Sequence, residues 1–415
     1  MLTLAEASHR ALMHSPEIQT ALARVRIAEA EARQTRLLPN PVLSVVLRWP
    51  EGGGKPVIEA GLAADLVSLL TLPGRTTAAD ARLRAAAAEA LSQALDVLSA
   101  VQERYVAVQA NDELLIVLQD RLGIIDRLLA IARSRLNLGE GTRLDVLSLE
   151  VQRVELQTEI ADRHLERREQ RLALARLIGE PSGPIDWRLE PWETFSGILV
   201  AESQWVRLGL ENRPEVRQQR YELAALGAEY RLTRFAPFEG AEAGIEAAHD
   251  DLDSEAGMRR LSGGSALATP LPLFDFGQAR RRRAEAALIE AQHKLTQVRR
   301  QVVEETRRAY AVFAASHQNL QRTRNELIPL AQRRLEQAEA QFRGGQTDVT
   351  GLLLAEEQLR AARTRLVELE RRNYEGLIRL HRSVGGSGVA ARIMERRQPA
   401  TAPTTAPATQ AADAN

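Results

Sequence analysis

The sequence predicts a mainly α-helical protein with a small β portion, built from two tandem structural repeats. Each repeat is expected to contain two β-strands and a long coiled-coil helical hairpin. Three observations predict this fold: landmark residues recur at a nearly constant separation, residues 75–138 contain no proline, and short runs of strand-forming residues occur at equivalent points of both halves.

The duplication is read from paired landmarks, whose separation grows only from 198 to 206 residues along the chain. Such a slow drift indicates two copies that differ slightly in loop length. We expect the first repeat over 1–200, the second over 201–385, and a disordered Ala/Pro/Thr-rich tail over 386–415. The pairs are Pro16 with Pro214, Pro39 with Pro237, Gly74 with Gly277, Tyr105 with Tyr310, Gly139 with Gly345, and Gly179 with Gly385.

The first repeat opens with an amphipathic helical stretch over 4–37, interrupted at Pro16, which fits the first turn of a second helix. Pro39 ends the helix because proline lacks an amide hydrogen and restricts its predecessor. β-branched runs on either side of a glycine-rich turn then predict strands. The strands are expected at about 41–49 and 56–70 in the first repeat, and at 238–250 and 260–273 in the second.

Long helical hairpins follow the strands, over 75–178 and 279–384. Apolar residues spaced three and four apart between Leu91 and Leu129 predict a coiled-coil seam that only Asp112 interrupts. Gly123 aligns with Pro329, and both residues weaken a helix, so a bend at the same height is expected in the two copies.

Composition excludes several functional classes. The 55 basic side chains equal the 55 acidic ones, which argues against a nucleic-acid-binding protein. Cysteine is absent, the histidines are scattered, and no phosphate loop or nucleophile–base grouping occurs, so we expect no metal, no cofactor and no enzymatic activity. No apolar run approaches the ~18 residues of a transmembrane helix.

The N-terminal residues lack the layout of a signal peptide, so the sequence predicts either a cytosolic protein or one whose export segment is absent here. Four strands leave two open sheet edges, which several chains could close by sharing strands in a barrel. A closed barrel can cross a lipid bilayer. The alternative is a soluble coiled-coil scaffold with no transport role.

Four stretches resemble the TolC-type outer-membrane efflux family: LTLAEASHRALMHSPEI, RLLPNPVLSV, PLPLFDFGQARRRRAEA and the paired loops at the hairpin tips. The resemblance covers residues 2–385 and implies a homotrimer with a twelve-stranded β-barrel continued by an α-helical tunnel. It implies a passive exit duct in the outer membrane of a Gram-negative bacterium, with its helices in the periplasm. RLLPNP and TLPGRTTAADARLRAA lean towards the heavy-metal efflux branch.

The family's role implies partners: a periplasmic adaptor protein, an inner-membrane pump that supplies the energy, and outer-membrane lipid. Transport would run from periplasm to exterior in a tripartite efflux or type I secretion system. The exported substrate is not predicted, because a wide tunnel selects little by itself.

The tip loops hold the candidate site residues. Asp145 matches the family's gate aspartate in the first repeat, with Gly139 and Arg143 beside it. The second repeat, which opens its loop at Gly345, departs from the pattern because Gly351 stands at the equivalent position and leaves Asp348 as the candidate acid. The alternative is that Arg143 and Asp145 form a solvated pair at a helix end.

Overall fold

The computed structural model describes residues 1–49, 57–191, 200–250, 260–344, 346 and 349–390. It confirms a mainly helical chain with a small sheet. The helices are α1 (Leu4–His14), α2 (Pro16–Arg36), α3 (Leu66–Asn137), α4 (Arg143–Leu177), α5 (Glu202–Asn212), α6 (Pro214–Leu232), α7 (Gln278–Arg322), α8 (Ile328–Arg343) and α9 (Val349–Ser383). The strands are β1 (Val42–Arg48), β2 (Val57–Asp65), β3 (Glu242–Asp250) and β4 (Arg260–Ala268).

The chain forms two compact units, and both draw on the two halves of the sequence. One consists of Met1–Met13, Leu98–Asn212 and the chain from Val302 onward. The other consists of His14–Val97 and Arg213–Gln301. The repeat boundaries predicted from the sequence therefore do not coincide with the compact units, and they stay a prediction about duplication.

The second unit contains an antiparallel four-stranded sheet in the order β1-β2-β3-β4. Leu43 lies opposite Leu62, and Leu62 lies opposite Ile245 on the next strand. Since side chains alternate between the two faces of a strand, this register places them in one row on one face. The outer edges of β1 and β4 have no strand partner within the described chain.

The first unit contains the hairpin core. α3 and α4 form one hairpin, and α8 and α9 form the other. Their buried residues make a continuous apolar cluster, because leucines and alanines recur every three or four positions on each helix. Members of the cluster include Leu118, Ile125, Leu129, Leu149, Leu156, Leu335, Phe342, Leu352 and Leu359.

The predicted second strand is too long. Residues 66–70 of the predicted 56–70 segment are the first turn of α3, because Asp65 caps that helix: its Oδ1 accepts a hydrogen bond from the Ser68 amide at 3.0 Å. Pro73 lies within α3, although helix was expected only from 75. Thr76 and Thr77 donate their hydroxyl protons to the Pro73 carbonyl at 2.9 and 2.8 Å.

The strands of the second half are also shorter than predicted. Thr233–Phe238 form a 3₁₀ turn, so Phe238 belongs to that turn and β3 starts at Glu242. The other strand ends at Ala268, because Pro270 and Pro272 lie in the remainder of the predicted 260–273 segment and cannot donate ladder hydrogen bonds.

The two repeats do not share the expected helix interruption at Gly123 and Pro329. The second repeat has a π-helical segment, Thr323–Leu327, which ends two residues before Pro329. Gly123 lies in uninterrupted α3. Proline removes a backbone donor, which a wider turn can accommodate, whereas glycine retains its amide and permits regular helix.

The start of the predicted tail is ordered. Gly386 donates its amide to the His381 carbonyl at 2.8 Å, and Ala390 is fully buried beside Leu380 and Val384. The rest of the predicted tail, 391–415, lies outside the described residues. None of the described helices contains an apolar stretch of the length that a membrane-spanning helix requires.

Candidate functional site: the tips of the two helical hairpins

The first tip loop joins α3 to α4 through a glycine in a left-handed conformation. Gly139 has φ of 76°, which side chains with a Cβ rarely adopt. The amides of Glu140 and Gly141 both donate to the Arg135 carbonyl, at 2.9 and 3.1 Å, so the last turn of α3 is closed by the loop itself. Gly139 therefore permits the tight turn between α3 and α4.

Asp145 forms a capping box with Thr142 at the start of α4. The Asp145 amide donates to Thr142 Oγ1 at 3.2 Å, while Asp145 Oδ2 accepts from the Thr142 amide at 3.0 Å and from its hydroxyl at 2.8 Å. A carboxylate here also faces the positive end of the helix dipole. The candidate gate aspartate is thus held in place by its own helix.

Arg143 is exposed, and it forms no ion pair with any residue that the structure describes. The Asp145 carboxylate is directed to Thr142 instead. Arg143 and Asp145 thus both lie in the first turn of α4 without an ion pair between them, and Asp145 serves there as part of the helix cap.

The second tip is described only in part. Gly344 donates its amide to the Ala340 carbonyl at 3.0 Å, and Gln346 donates to Gln341 at 2.9 Å. Gly345 and Asp348, both predicted site residues, lie outside the described residues. Gly351 is in the first turn of α9 and has no carboxylate with which to repeat the Asp145 capping box.

The two tips are tied together by Arg135, which the sequence reading missed. Its Nη1 donates to the Phe342 carbonyl at 3.1 Å, and its Nη2 donates to the Glu140 carbonyl at 3.1 Å. Its guanidinium also lies 4.9 Å from the centroid of the buried Phe342 ring. The sequence shows a basic residue in the last turn of α3, but the spacing of residues along the chain does not indicate that its partner lies on α8.

A buried charge cluster lies further up the same helices. Arg121 Nε lies 3.0 Å from both carboxylate oxygens of Glu356, and the side chains are 8% and 3% exposed. Nη2 of Arg121 also donates to Gln152 at 3.0 Å and to Glu357 at 2.9 Å. Burial raises the pKa of the Glu356 carboxyl, and Arg121 opposes that shift. The cluster joins α3, α4 and α9.

Asp112, the one predicted interruption of the seam, is also paired. Its carboxylate lies 2.7 Å from Arg167 Nε and 2.9 Å from Arg171 Nη2 on α4. Arg171 donates further to the carbonyls of Ile185 and Trp187. This charge therefore fixes the chain that follows α4 against the hairpin.

No group of three or more acidic or histidine side chains is suitably placed for a metal ion in the described ranges. The tips carry charged side chains, a helix cap and the contact between Arg135 and the buried Phe342. Residues 7–180 and 205–386 match the family described as Outer membrane efflux protein.

The chain belongs to the outer membrane efflux protein family. The match covers most of both halves, and it accounts for the two hairpins and the sheet in one assignment. As a member of this family, the chain is an outer-membrane efflux channel protein. No curated protein sequence matches it.

Three solved structures share this fold at low sequence identity. The outer membrane protein VceC of Vibrio cholerae has a TM-score of 0.76 at 20% identity, covering 92% of this chain and 96% of that one. CusC gives 0.75 at 20% identity, with 92% of each chain covered. The open state of the Neisseria gonorrhoeae MtrE outer membrane channel gives 0.73 at 17%, covering 92% and 89%. These likenesses establish the fold and do not single out the heavy-metal branch.

Proposed function

We propose that three copies of this chain form a passive exit duct, in which their sheets close into a twelve-stranded barrel across the outer membrane and their hairpins form a tunnel in the periplasm. The observation that carries this proposal is the chemistry of the two faces of the sheet. One face is apolar and exposed in the single chain, whereas the other carries the charges.

The apolar face is continuous across all four strands. Its rows follow from the pairing register, with Val45 opposite Ala60 and Ala60 opposite Ala247. The large apolar side chains on this face are 43–69% exposed. Their exposure is unfavourable in water and favourable in contact with lipid. They are Leu43, Val45, Leu47, Ile58, Leu62, Ile245 and Leu267.

The opposite face, called the polar face, carries the charged residues, and Val42 and Val46 also lie on it. Within the side chains that the structure describes, every charged residue of the sheet is on this face, and Arg48 pairs with Glu59 at 3.0 Å. A closed barrel would turn this face towards a water-filled interior. The charged residues are Arg48, Glu59, Asp65, Glu242 and Glu246.

The open edges support closure between copies. β1 and β4 each leave one row of backbone donors and acceptors unpaired by another described strand. With four alternating strands, β4 of one copy runs antiparallel to β1 of the next, so three copies would join twelve strands without an exposed edge. A soluble scaffold would leave both the edges and the apolar face in water.

The partners follow from the passive character of such a duct. A helical tunnel in the periplasm needs an adaptor protein to engage it and an inner-membrane pump to supply energy. We infer both partners, and the absence of an enzymatic step in this chain, from the family. The tip residues Gly139, Arg143, Asp145, Gly345 and Asp348 are proposed to border the periplasmic entrance.

The test is expression behind an export signal, followed by membrane fractionation, mass measurement in detergent and recording in planar bilayers. We expect outer-membrane localisation, the mass of three chains, and discrete conductance steps. A protein that stays monomeric and soluble without detergent, and that gives no conductance, would end the proposal.

A further inference from the structure

A cleft of about 1170 Å³ lies between α3, α4 and the segment 183–191, and its lining belongs to one compact unit. Glu113 and Ile116 are three residues apart on α3, so they lie on the same face of that helix. Arg168 and Leu172 are four residues apart on α4 and likewise share a face. The cleft is therefore bounded by one face of each helix and by the chain that follows α4.

Hydrogen bonds hold the third wall of the cleft in place. Gln109 Nε2 donates to the Glu190 carbonyl at 2.6 Å. Arg171, whose side chain is only 8% exposed, donates to the carbonyls of Ile185 and Trp187 at 3.0 and 2.8 Å. The cleft is thus pre-formed, as ligand sites usually are, and it exceeds the ~300–1,000 Å³ that is common for small-molecule pockets. It has room for a small molecule together with water.

The two helical walls carry opposite charges at the same height. The Asp112 carboxylate on α3 binds Arg167 and Arg171 on α4, so these three charges are compensated within the chain. Glu113 is the next residue along α3, and Arg168 is the next residue after Arg167 on α4. Neither of these two forms an ion pair with the other, or with any residue in the described ranges. The cleft therefore offers one unpaired acid and one unpaired base.

The Glu113 carboxylate is half-buried, and its surroundings disfavour its charge. Burial raises the pKa of the Glu113 carboxyl, and the nearby carboxylates of Glu370 and Asp112 raise it further. A ligand cation placed beside Glu113 would offset both effects. Arg168 is exposed, and a guanidinium can hold a carboxylate through two parallel hydrogen bonds. The two side chains thus suit an ammonium and a carboxylate that lie close together.

The rest of the lining suits an apolar body. Ile116 is 50% exposed and Leu172 is 44% exposed, and Trp187 and Ile185 line the same cleft. Four arginines and four acidic residues contribute to its lining, so the cleft has no excess of either charge with which to favour a simple anion or cation. A ligand that carries both charges and an apolar body matches this lining best.

We propose that the cleft binds an α-amino acid with a large apolar side chain, whose ammonium pairs with Glu113 and whose carboxylate pairs with Arg168. The apolar side chain lies against Ile116, Leu172 and Trp187. This site goes beyond the proposed duct and does not depend on it, because every residue that forms it comes from one copy of the chain.

Titration calorimetry on the full chain in detergent tests the site with four probes: phenylalanine, N-acetylphenylalanine, phenylalanine amide and alanine. Wild type should bind phenylalanine. Loss of the amine charge, the carboxylate charge or the large side chain should each weaken binding by at least about tenfold, because charge-assisted hydrogen bonds and apolar burial both contribute.

Two variants assign the charges. Glu113→Gln should bind phenylalanine and N-acetylphenylalanine equally, and Arg168→Gln should bind phenylalanine and its amide equally. The matched control is Glu169→Gln, an exposed position outside the lining, which should keep the wild-type ratios. A partly unfolded preparation lowers the number of sites and leaves these affinity ratios unchanged.

Wild-type protein that binds none of the probes, or that binds the free and capped forms equally, overturns the site. Variants that keep the wild-type ratios overturn the assignment of Glu113 and Arg168. Calorimetry needs no ion current, so a failure of the amino-acid site leaves the duct in place, and a chain that neither trimerises nor conducts can still bind phenylalanine.

Discussion

Arg121 and Glu356 form a buried ion pair, in which Arg121 Nε contacts both carboxylate oxygens of Glu356 at 3.0 Å. The pair joins the first half of the chain to the second. Glu150, the residue equivalent to Glu356 in the first repeat, instead forms an exposed pair with Arg133 at 2.7 Å. A buried pair costs desolvation, so it adds little over apolar packing, yet losing one member leaves a charge without compensation. The cluster therefore fixes the relative position of α3 and α9 more than it stabilises the fold.

Arg121→Met is expected to lower the free energy of unfolding by about 3–5 kcal/mol, because Glu356 would be left buried without its main partner. Arg121→Met/Glu356→Met should recover most of the loss. Chemical denaturation of the detergent-solubilised protein measures both. Arg133→Met is the matched control, and its exposed pair should matter by less than about 1 kcal/mol. Equal losses for Arg121→Met and Arg133→Met would contradict the argument.

His381 should make the protein sensitive to acid. It stacks on Trp205 with ring centroids 6.2 Å apart, and burial lowers its pKa to about 4. The pKa of this imidazole is lower in the folded state than its ordinary value of 6.5. Its contribution to stability is therefore complete above pH 6.5 and is lost as the pH falls towards 4. The loss amounts to roughly 3 kcal/mol.

Melting temperature measured from pH 7.5 to 4 should therefore fall more steeply for the wild type than for His381→Phe. His293→Gln, at an exposed position on α7, should follow the wild-type curve. Parallel curves of melting temperature against pH for wild type and His381→Phe would show that the buried imidazole does not cause the loss of stability at low pH.

Ile245 and Glu246 are neighbours on β3 that test the two faces of the sheet. Ile245→Arg places a charge on the apolar face and should destabilise the membrane-inserted protein by about 2–4 kcal/mol if it lies near the midplane. Glu246→Arg, on the polar face, should be close to neutral. Folding yield in liposomes measures the difference, and equal tolerance would argue against a lipid-facing side.

Asp145 has two roles that substitution can separate. Asp145→Ala removes the charge and also the capping box, whose loss costs about 1 kcal/mol of helix stability. Asp145→Asn removes the charge and keeps a side-chain acceptor for Thr142. If the charge closes the entrance, both variants should raise single-channel conductance in planar bilayers. An increase in Asp145→Ala alone would assign the effect to the helix cap.

Arg135→Met should loosen the two tips from each other, because it removes the hydrogen bonds to Phe342 and Glu140 together. We expect more frequent open events and larger current noise, with global melting shifted by only a few degrees. Arg127→Met, on an open surface of the same helix, serves as the control. Unchanged gating would restrict Arg135 to loop packing.

The sequence predicted the helices and the hairpin connections well, because their apolar spacing and proline positions are local signals. Residues 66–70 were misread as strand, since a short apolar run does not distinguish a strand from a helix whose cap, Asp65, precedes it. The Thr142–Asp145 capping box has a sequence signal, because the two residues are three positions apart. The contacts of Arg121 with Glu356 and of Arg135 with Phe342 have no such signal, because they depend on which helices become neighbours.

The alternating directions of the four strands have one more consequence. Because β1 and β4 run in opposite senses, the direction of the edge strands alone does not limit how many copies join edge to edge. In the proposed duct, the number of copies would then depend on the tilt and stagger of the strands together with the packing of helices between copies. A change in that number would alter the bore of the pore in whole-subunit steps, each visible as a discrete jump in conductance.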